Sequence, residues 1–430
     1  MNLRYRAFTL FLYNSCLGVF LSYGVFFTKV SNEYKLPASA TSLVFGVFAV
    51  LFSISSLVLG LYMNTRGPGK TILLGGGLMS AGLLLSSVAN SYPLLVLTYG
   101  VIGGIGSGSM WMPTSYVVFD SFDSAAVKQV TGLVSAGTAI GLLFFPPLET
   151  YLIFEGGLPV AFLTVGLVVL LFTGLAYQTS RSSKVTSRFD LREAFKNLKT
   201  KKFGLLYAYY AAGNAFSRTL VTIFLVPLFE SRGLGTVVGT LALSLIGVGS
   251  MAGRLTTGVK RVSEETMAAL GFVLQGACAA GLFIANDAVT IGVLSVLFGI
   301  GYGTYIPEFA LMVRKYYGVE HYGTVFGMLL TSFGLGAFIG PVFEGTAVSS
   351  TGGYLPGFLL AAAASIAVGA HLLFAGKGSG QRVPYPGNRG RNTGGTDERP
   401  RVHAGYQQRE VPAPSLCREH DLRRVRSDGC

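Results

Sequence analysis

Long apolar segments alternate with short polar ones along almost the whole chain. A helix of about 20 apolar residues crosses the hydrocarbon core of a bilayer, and runs of that length recur from the first residues to about residue 375. The pattern predicts twelve membrane-spanning helices, six on either side of a polar segment at 179–202. The predicted spans lie near residues 7–30, 41–63, 71–89, 92–119, 127–148, 158–178, 203–229, 235–258, 266–285, 288–313, 322–346 and 355–375.

The composition supports a chain that is solvated by lipid. Hydrophobic residues make up 51% of the chain and charged residues 12%, whereas a soluble domain carries about 25% charged residues on average. The mean hydropathy is +0.55. We therefore expect an all-α membrane protein.

Two glycine-rich motifs occur twice, each time 195 residues apart. Gly104-Ile-Gly-x-Gly108 returns as Gly299-Ile-Gly-x-Gly303, and Gly132…Gly141…Pro146…Glu149 returns as Gly327…Gly336…Pro341…Glu344. Such internal symmetry is typical of secondary transporters, which place the substrate site between two similar halves. The predicted domains are an N-terminal six-helix bundle at 1–178, a cytoplasmic central loop at 179–202, a C-terminal six-helix bundle at 203–375 and a disordered basic cytoplasmic tail at 376–430.

Positive charge is distributed unevenly between the two sets of predicted loops. One set contains 15 Lys and Arg residues and the other only three, Lys29, Lys35 and Arg232. Because cationic loops stay in the cytoplasm, we expect a multi-pass protein of the cell membrane with both termini cytoplasmic. The central loop is either a short amphipathic helix on the inner surface or a solvated linker close to anionic lipid.

The net charge of +13 follows from this topology rather than from a nucleic-acid-binding surface. The tail contributes 11 cations and 6 anions, and most of the remaining excess lies in the cytoplasmic loops. No basic face with interleaved aromatic residues belongs to a soluble domain, so we expect no nucleic-acid partner. The spacing of the four Cys and four His residues favours no disulfide framework, metal site or catalytic set. We expect no enzyme and no cofactor.

The segment between predicted spans two and three carries a recognisable loop motif. Its sequence is Gly60-Leu-Tyr-Met-Asn64-Thr-Arg66-Gly67-Pro68-Gly69-Lys70, which resembles the loop signature of the major facilitator superfamily. The resemblance implies a latch between helices as the two halves rock, with Asn64, Arg66 and Lys70 as coupling or gating candidates. Asn64 stands where the family usually has Asp, so the charge-relay part of that latch lacks its acidic group.

Further motifs resemble one branch of that superfamily, the oxalate/formate antiporters and monocarboxylate transporters. These motifs are Gly253-Arg254-x-x-x-Gly258, Tyr302-Gly303 with Pro307, Thr331…Gly334…Gly340-Pro341, and Tyr23-Gly-Val-Phe-Phe. The resemblance implies twelve helices in two pseudo-symmetric bundles, a monomer, and transport of a small organic anion by alternating access. Proton symport, anion exchange and uniport all remain open as modes of coupling.

Arg254 is the strongest candidate for the anion contact. A charged side chain deep in a span costs at least about 2.5–3.5 kcal/mol on insertion scales, so it is normally retained for a cavity, a partner or a substrate. Its planar guanidinium fits a carboxylate with two parallel hydrogen bonds, which a lysine does not. The alternatives are a structural ion pair with Glu308 and a cation that reaches the inner interface.

Two positions depart from the branch. In monocarboxylate transporters an acidic residue one turn before this arginine is implicated in proton coupling, and here that position is Ser250. In the oxalate exchangers a lysine in span eleven supplies a second cation, and here the matching position is Phe333. A single cation suits a monocarboxylate better than a dianion. Arg218 either supplies the missing second charge or lies at the outer lipid interface.

The remaining candidates are aromatic and acidic. Tyr23, Tyr302, Tyr305 and Trp111 fall in spans one, four and ten, which line the cavity in the superfamily; the alternative is a packing or interface role. Glu308 stands out as the carboxylate well inside a second-half span, where it either takes part in coupling or pairs with Arg254. Two other functions stay open: a carrier of a neutral solute or drug, and a transporter-like membrane sensor.

Overall fold

The computed structural model describes residues 3–122, 124–183, 192, 200–256, 262–317 and 322–378. Within these ranges the secondary structure is helical. Apart from residue 192, the predicted amphipathic helix of the central loop lies outside the described residues. The same holds for residues 257–261 and for the predicted tail from residue 379 onward.

The first half of the chain forms six spans, which we number in chain order. Span α1 consists of Leu3–Ser15, Leu17–Leu21 and Tyr23–Glu33, with a bend of 42° before the last piece. Span α4 contains a wider π-helical segment, Val96–Gly103, between regular helical pieces. The other bounds are Ala38–Arg66 for α2, Pro68–Ser86 for α3, Tyr92–Val118 for α4, and Ser124–Ser180 for α5 and α6 together.

The second half repeats this arrangement. Span α7 also has a π-helical centre, Tyr210–Arg218. The bounds are Lys201–Ser231 for α7, Thr236–Leu255 for α8, Glu264–Ile284 for α9, Ala288–Tyr317 for α10, Tyr322–Thr351 for α11 and Leu355–Gly378 for α12.

The number of spans agrees with the prediction once two breaks are considered. Ten continuous helices among the described residues are long and apolar enough to cross a membrane, and the bent α1 raises the number to eleven. One of the ten, Val130–Ser180, has 51 residues, which would extend about 77 Å at 1.5 Å per residue, far more than one bilayer. Its backbone breaks at Gly157, with φ 72° and ψ −170°, two residues before Pro159. We therefore divide it at Gly157 into α5 and α6, which makes twelve.

The repeated Gly-Ile-Gly-x-Gly motif lets one helix of each half approach two others closely. A Cβ atom added to Gly104 would lie 2.8 Å from the Phe48 carbonyl oxygen of α2, and one added to Gly303 would lie 2.1 Å from the Ser250 carbonyl oxygen of α8. The middle glycine, Gly301, packs in the same way against α9. Both copies of the motif thus serve backbone contact, as expected for small residues between membrane helices.

Among the described residues, the main contacts between the two halves are made by three pairs of helices. Helix α1 packs against α7 at Gly24, α2 packs against α11, and α5 packs against α8. The hydrogen bonds between α2 and α11 run from Ser39, whose amide donates to Ser349 at 3.1 Å, to Ser53 near the middle of the span. We call the end of the bundle that carries the α1–α2 and α7–α8 turns the α1–α2 face. In this conformation the halves are in contact at that face.

Candidate functional site

Tyr302 of α10 brings the two predicted arginines together. The guanidinium carbon of Arg218 lies 4.9 Å from the centre of the Tyr302 ring, and that of Arg254 lies 5.9 Å from it. Cation–π contacts of this kind contribute about 0.5–2 kcal/mol each. We call Arg218, Arg254 and Tyr302 the Tyr302 site. It is built from α7, α8 and α10, and it lies next to α5.

One edge of the Arg254 guanidinium is buried without a hydrogen bond to any residue that the structure describes. Its Nη1 donates to the Ser135 carbonyl oxygen of α5 at 2.7 Å, across the two halves. The other two nitrogens, Nε and Nη2, are buried and have no hydrogen-bond partner among the described residues. They lie along one edge of the plane, the arrangement that binds a carboxylate through two parallel hydrogen bonds. Since an unmet buried donor of a charged group costs more than about 1–3 kcal/mol, this edge favours an anionic ligand.

Arg218 is almost fully buried, with 3% of its surface exposed. Its Nε donates to Asn214 Oδ1 at 3.0 Å, one turn earlier in the π-helical segment. Its Nη1 is buried and has no hydrogen-bond partner in the part of the chain that the structure describes. The Phe333 ring of α11 lies 5.3 Å from its guanidinium carbon. The sequence left a lipid-interface position open for Arg218, and the burial excludes it. The expectation of a lone cation is likewise revised, because Arg218 contacts the same ring as Arg254.

A buried hydrogen-bond network holds Arg218 in place. The Tyr305 hydroxyl shares its proton between Asn214 Oδ1 at 3.1 Å and Gln275 Oε1 at 2.7 Å. Gln275 of α9 in turn donates from Nε2 to the Gly213 carbonyl oxygen and to Ser365 Oγ, both at 2.9 Å. Sequence reasoning missed Asn214 and Gln275 as site residues. The available signal was an amide side chain in the middle of an apolar span, which in a membrane is normally retained for a hydrogen bond.

The four predicted aromatic residues differ in their surroundings. Tyr302 contacts both arginines. Tyr305 is fully buried, and its hydroxyl is used in the network. Tyr23 is 1% exposed and donates its hydroxyl proton to the Thr41 carbonyl oxygen at 2.9 Å, inside a cluster of aromatic rings. Trp111 is half-buried at the break in α4. The arrangement supports a site role for Tyr302 and a packing role for Tyr23.

The loop motif between α2 and α3 forms a tight turn against the end of α6. Gly67 adopts φ 85°, which favours glycine, and a Cβ atom on Gly69 would lie 2.7 Å from the Arg181 Cα atom. Asn64 is half-buried, and Arg66 and Lys70 are exposed. The three gating candidates are thus at one end of the bundle, on the side away from the α1–α2 face.

Glu308 is 2% exposed in α10. The predicted alternative, an ion pair with Arg254, is not formed, because the ion pairs among the described residues join Lys315 to Glu264 and Glu265. At Ser250, α8 and α10 are in backbone contact through Gly303. The Ser250 hydroxyl is itself buried and has no hydrogen-bond partner among the described residues.

Two further carboxyl groups inside the spans were not among the predicted site residues. Glu149 of α5 and Glu344 of α11 occupy equivalent positions in the sequence repeat, and both are 0% exposed. Glu308 is therefore not the single carboxylate inside a second-half span, as the sequence reasoning held. In the sequence both glutamates stand out only as equivalent positions of the internal repeat.

Comparisons with known proteins agree with this architecture. The profile of the family described as Major Facilitator Superfamily matches residues 7–341 and, in a second alignment, 259–415. Monocarboxylate transporter 2 of Homo sapiens is 22% identical over 382 residues, which cover 81% of this chain and 80% of that protein. Monocarboxylate transporter 9 of Rattus norvegicus is 29% identical over 163 residues, 38% of this chain and 31% of that protein. The uncharacterized MFS-type transporter YhjX of Escherichia coli is 22% identical over 338 residues, 75% of this chain and 82% of that protein.

Proposed function

The chain belongs to the major facilitator superfamily, and from that premise we propose that it carries small organic anions, specifically monocarboxylates, across the cell membrane by alternating access. Membership in the family makes it a multi-pass membrane transporter of small molecules and not an enzyme. In the proposed cycle the two halves rock about the Tyr302 site, so that the site opens to each side in turn. The protein acts as a monomer with both termini in the cytoplasm.

The free edge of Arg254 is the observation that supports an anionic substrate. Its Nε and Nη2 are buried donors without a hydrogen-bond partner within the described ranges, while Nη1 donates to the Ser135 carbonyl oxygen of the other half. A carboxylate bound to this edge would satisfy both donors with charge-assisted hydrogen bonds. Because the same side chain bridges the halves, substrate binding and the α5–α8 contact involve one group. Arg254 is therefore suited to link recognition to rocking.

Arg218 adds a second positive charge but offers a narrower contact. Its Nε is already hydrogen-bonded to Asn214, which leaves Nη1 as a buried donor that no described residue accepts from. A monocarboxylate places both oxygens on Arg254, and Nη1 of Arg218 is available for a neighbouring polar group such as a 2-hydroxyl. The names of several relatives, among them human Monocarboxylate transporter 2, favour a monocarboxylate. Oxalate is the discriminating probe, because two arginines at one ring would also accommodate a dianion.

Three further roles complete the proposal. Tyr302 positions both guanidinium groups, and Trp111, Tyr23 and Tyr305 shape the surroundings of the site. Glu308, six residues after Tyr302 in α10, serves as a gate. The turn with Asn64, Arg66 and Lys70 acts as a latch on the cytoplasmic side.

Transport by purified protein in liposomes tests the proposal. Labelled lactate, oxalate and glycerol serve as probes of a monoanion, a dianion and a neutral solute. Hydrogen bonds to a charged group contribute about 1.5–3 kcal/mol, so loss of the Arg254 edge should raise the KM for lactate about 10- to 150-fold. We expect this for Arg254→Gln, and also for Arg254→Lys, which keeps the charge but loses the planar edge.

Arg232 provides a matched control outside the site. Its Nη1 donates to the Ala285 carbonyl oxygen at 3.3 Å, and its guanidinium carbon lies 4.8 Å from the Phe283 ring centre. Arg232→Gln removes the same kinds of contact and should leave the lactate KM within about twofold. Undiminished lactate uptake by Arg254→Gln, or a clear preference of the wild type for oxalate or glycerol, would contradict the proposal.

A further inference from the structure

Phe333 of α11 borders the Tyr302 site next to Arg218. Its ring centre lies 5.3 Å from the guanidinium carbon of Arg218, which also contacts the Tyr302 ring. The Phe333 side chain is buried, with 7% of its surface exposed. Contacts therefore continue from Arg254 to Tyr302, and from there through Arg218 to Phe333. This line of contacts has a polar end at α8 and an apolar end at α11.

Two rings of the first half extend the apolar end. The ring centre of Phe52 in α2 lies 5.6 Å from that of Phe333, in an edge-to-face arrangement, and the ring centre of Phe20 in α1 lies 6.1 Å away. Phe20 and Phe52 stack on each other at 5.6 Å. These distances are those that aromatic pairs prefer. We call Phe20, Phe52 and Phe333 the aromatic wall, which joins the two halves beside Arg218.

The groups on both sides of the Phe333 ring are held in place. The next residue, Gly334, is so close to α2 that an added Cβ would lie 2.6 Å from the Ser53 Cβ atom. The Ser53 hydroxyl donates to the Leu330 carbonyl oxygen of α11 at 3.4 Å. Arg218 is held by its own hydrogen bond within α7. The space between Arg218 and the aromatic wall therefore cannot widen without the loss of these contacts.

A bound monocarboxylate has a charged end and a hydrocarbon end. With the carboxylate on Arg254 and a 2-hydroxyl near Arg218, the rest of the molecule points along the line of contacts toward Phe333. Burial of hydrocarbon against aromatic rings is favourable because it removes apolar surface from water. Packed interiors contain few voids, so a larger hydrocarbon group has to displace a side chain.

We propose that Phe333 is a specificity-determining residue, whose ring limits the size of the hydrocarbon end of the substrate. The inference rests on the proposed function. Loss of the ring in Phe333→Ala should leave an apolar cavity beside Arg218. Apolar cavities of about 150 Å³ bind benzene, so a substrate that itself carries a phenyl ring can fill the space that Phe333 has vacated.

Counterflow of labelled lactate and labelled 3-phenyllactate at equal pH on both sides tests this assignment. The two acids share the carboxylate and the 2-hydroxyl and differ by a phenyl ring. Liposomes with the full-length protein are compared with protein-free liposomes, which correct for passive entry. Even one extra methylene in a tight pocket changes selectivity about 10- to 200-fold. We therefore expect Phe333→Ala to shift the ratio of uptake toward 3-phenyllactate by at least about 10-fold.

Phe338 provides a matched control on the same helix. Its ring packs against α2, where a Cβ added to Gly46 would lie 2.8 Å from the Phe338 Cδ2 atom. Phe338→Ala thus removes a ring from the same contact between α2 and α11, and it should leave the ratio within about twofold. An equal shift in Phe338→Ala and Phe333→Ala would mean that a looser contact, and not the lost ring, admits the larger acid, which overturns the role of Phe333.

Two further measurements do not depend on transport by Phe333→Ala. Phe333→Leu removes less volume and should shift the ratio in the same direction by a smaller factor. In the wild type, unlabelled 3-phenyllactate should compete with labelled lactate at least about 10-fold less well than unlabelled lactate does. Equal competition by the two acids would overturn the size limit.

The outcomes separate this inference from the proposed function. Lactate counterflow by the wild type, with an unchanged ratio in both Phe333 variants, overturns the role of Phe333 and leaves the proposed function intact. A wild type that carries neither lactate nor any other monocarboxylate overturns the proposed function itself. Thermal unfolding in detergent gives an independent measurement, because the ligand that binds the folded state more tightly raises the midpoint more. For Phe333→Ala that ligand should be 3-phenyllactate, and for the wild type it should be lactate.

Discussion

Replacement of Gly303 by alanine tests the packing that holds the proposed site together. An added Cβ would lie 2.1 Å from the Ser250 carbonyl oxygen, 2.8 Å from the Ser250 Cα atom and equally close to its carbonyl carbon. All three atoms belong to the backbone of α8, so no side-chain rotation relieves the contact. Because carbon and oxygen atoms in packed interiors approach to a little over 3 Å, α8 and α10 must separate by about 1 Å.

Both stability and transport should respond to this separation. Overpacking in a close-packed core costs about 1–3 kcal/mol, and we expect the upper part of that range because backbone must move. Helices α8 and α10 also carry Arg254 and Tyr302, whose separation of 5.9 Å would change with them. Gly303→Ala should therefore lower the thermal unfolding midpoint in detergent and raise the KM for lactate.

Gly77→Ala is the matched control. Gly77 lies within α3, and an added Cβ meets no atom within 4 Å. Alanine in a helix is favoured over glycine by about 0.5–1 kcal/mol, so this variant should be as stable as the wild type or slightly more stable. If Gly303→Ala unfolds at the same temperature as Gly77→Ala, α8 and α10 are not in close backbone contact at Gly303.

Three further substitutions have defined outcomes. Tyr305→Phe removes the hydroxyl that donates to Gln275 Oε1 at 2.7 Å. The free energy of unfolding should fall by about 1–3 kcal/mol, as measured by thermal unfolding in detergent. A stability equal to that of the wild type would show that this hydrogen bond does not stabilise the protein. Gly157→Ala places a side chain at φ 72° and ψ −170°, a region used almost only by glycine, and should destabilise the break between α5 and α6 by about 1–3 kcal/mol in the same assay. If Glu308 is a gate, Glu308→Gln should change the rate of lactate exchange at saturating substrate more than it changes the KM. An unchanged rate in the liposome assay would show that Glu308 is not a gate.

The sequence predicted the helices well because their signal is local. A stretch of about 20 apolar residues must span the bilayer whatever its neighbours are. The division at Gly157 could also be predicted, since the 51-residue apolar segment around it is too long for one crossing. The breaks within α1 and the π-helical segments of α4 and α7 were not predicted, because they depend on how each helix fits against its neighbours.

The site residues were predicted only in part. A charge inside a span is visible in sequence because of its cost, and this identified both Arg218 and Arg254. That Arg218 and Arg254 both contact Tyr302 depends on the packing of three helices, and no local sequence pattern predicts it. The same limit applies to Asn214 and Gln275, which sequence reasoning missed and which matter because they hold Arg218.

By itself, the sequence determined the class of protein, the number of spans and the two-fold internal repeat, because hydrophobicity and spacing act along the chain. Only the tertiary structure decided which charges lack partners. One edge of the Arg254 guanidinium has no hydrogen-bond partner among the described residues, and the same holds for the carboxyl oxygens of Glu149 and Glu344, which occupy one repeat position and are both fully buried. Glu344 lies against the start of α12 and Glu149 does not. The energy of a buried charge depends on the groups around it, and those come from helices that are distant in sequence.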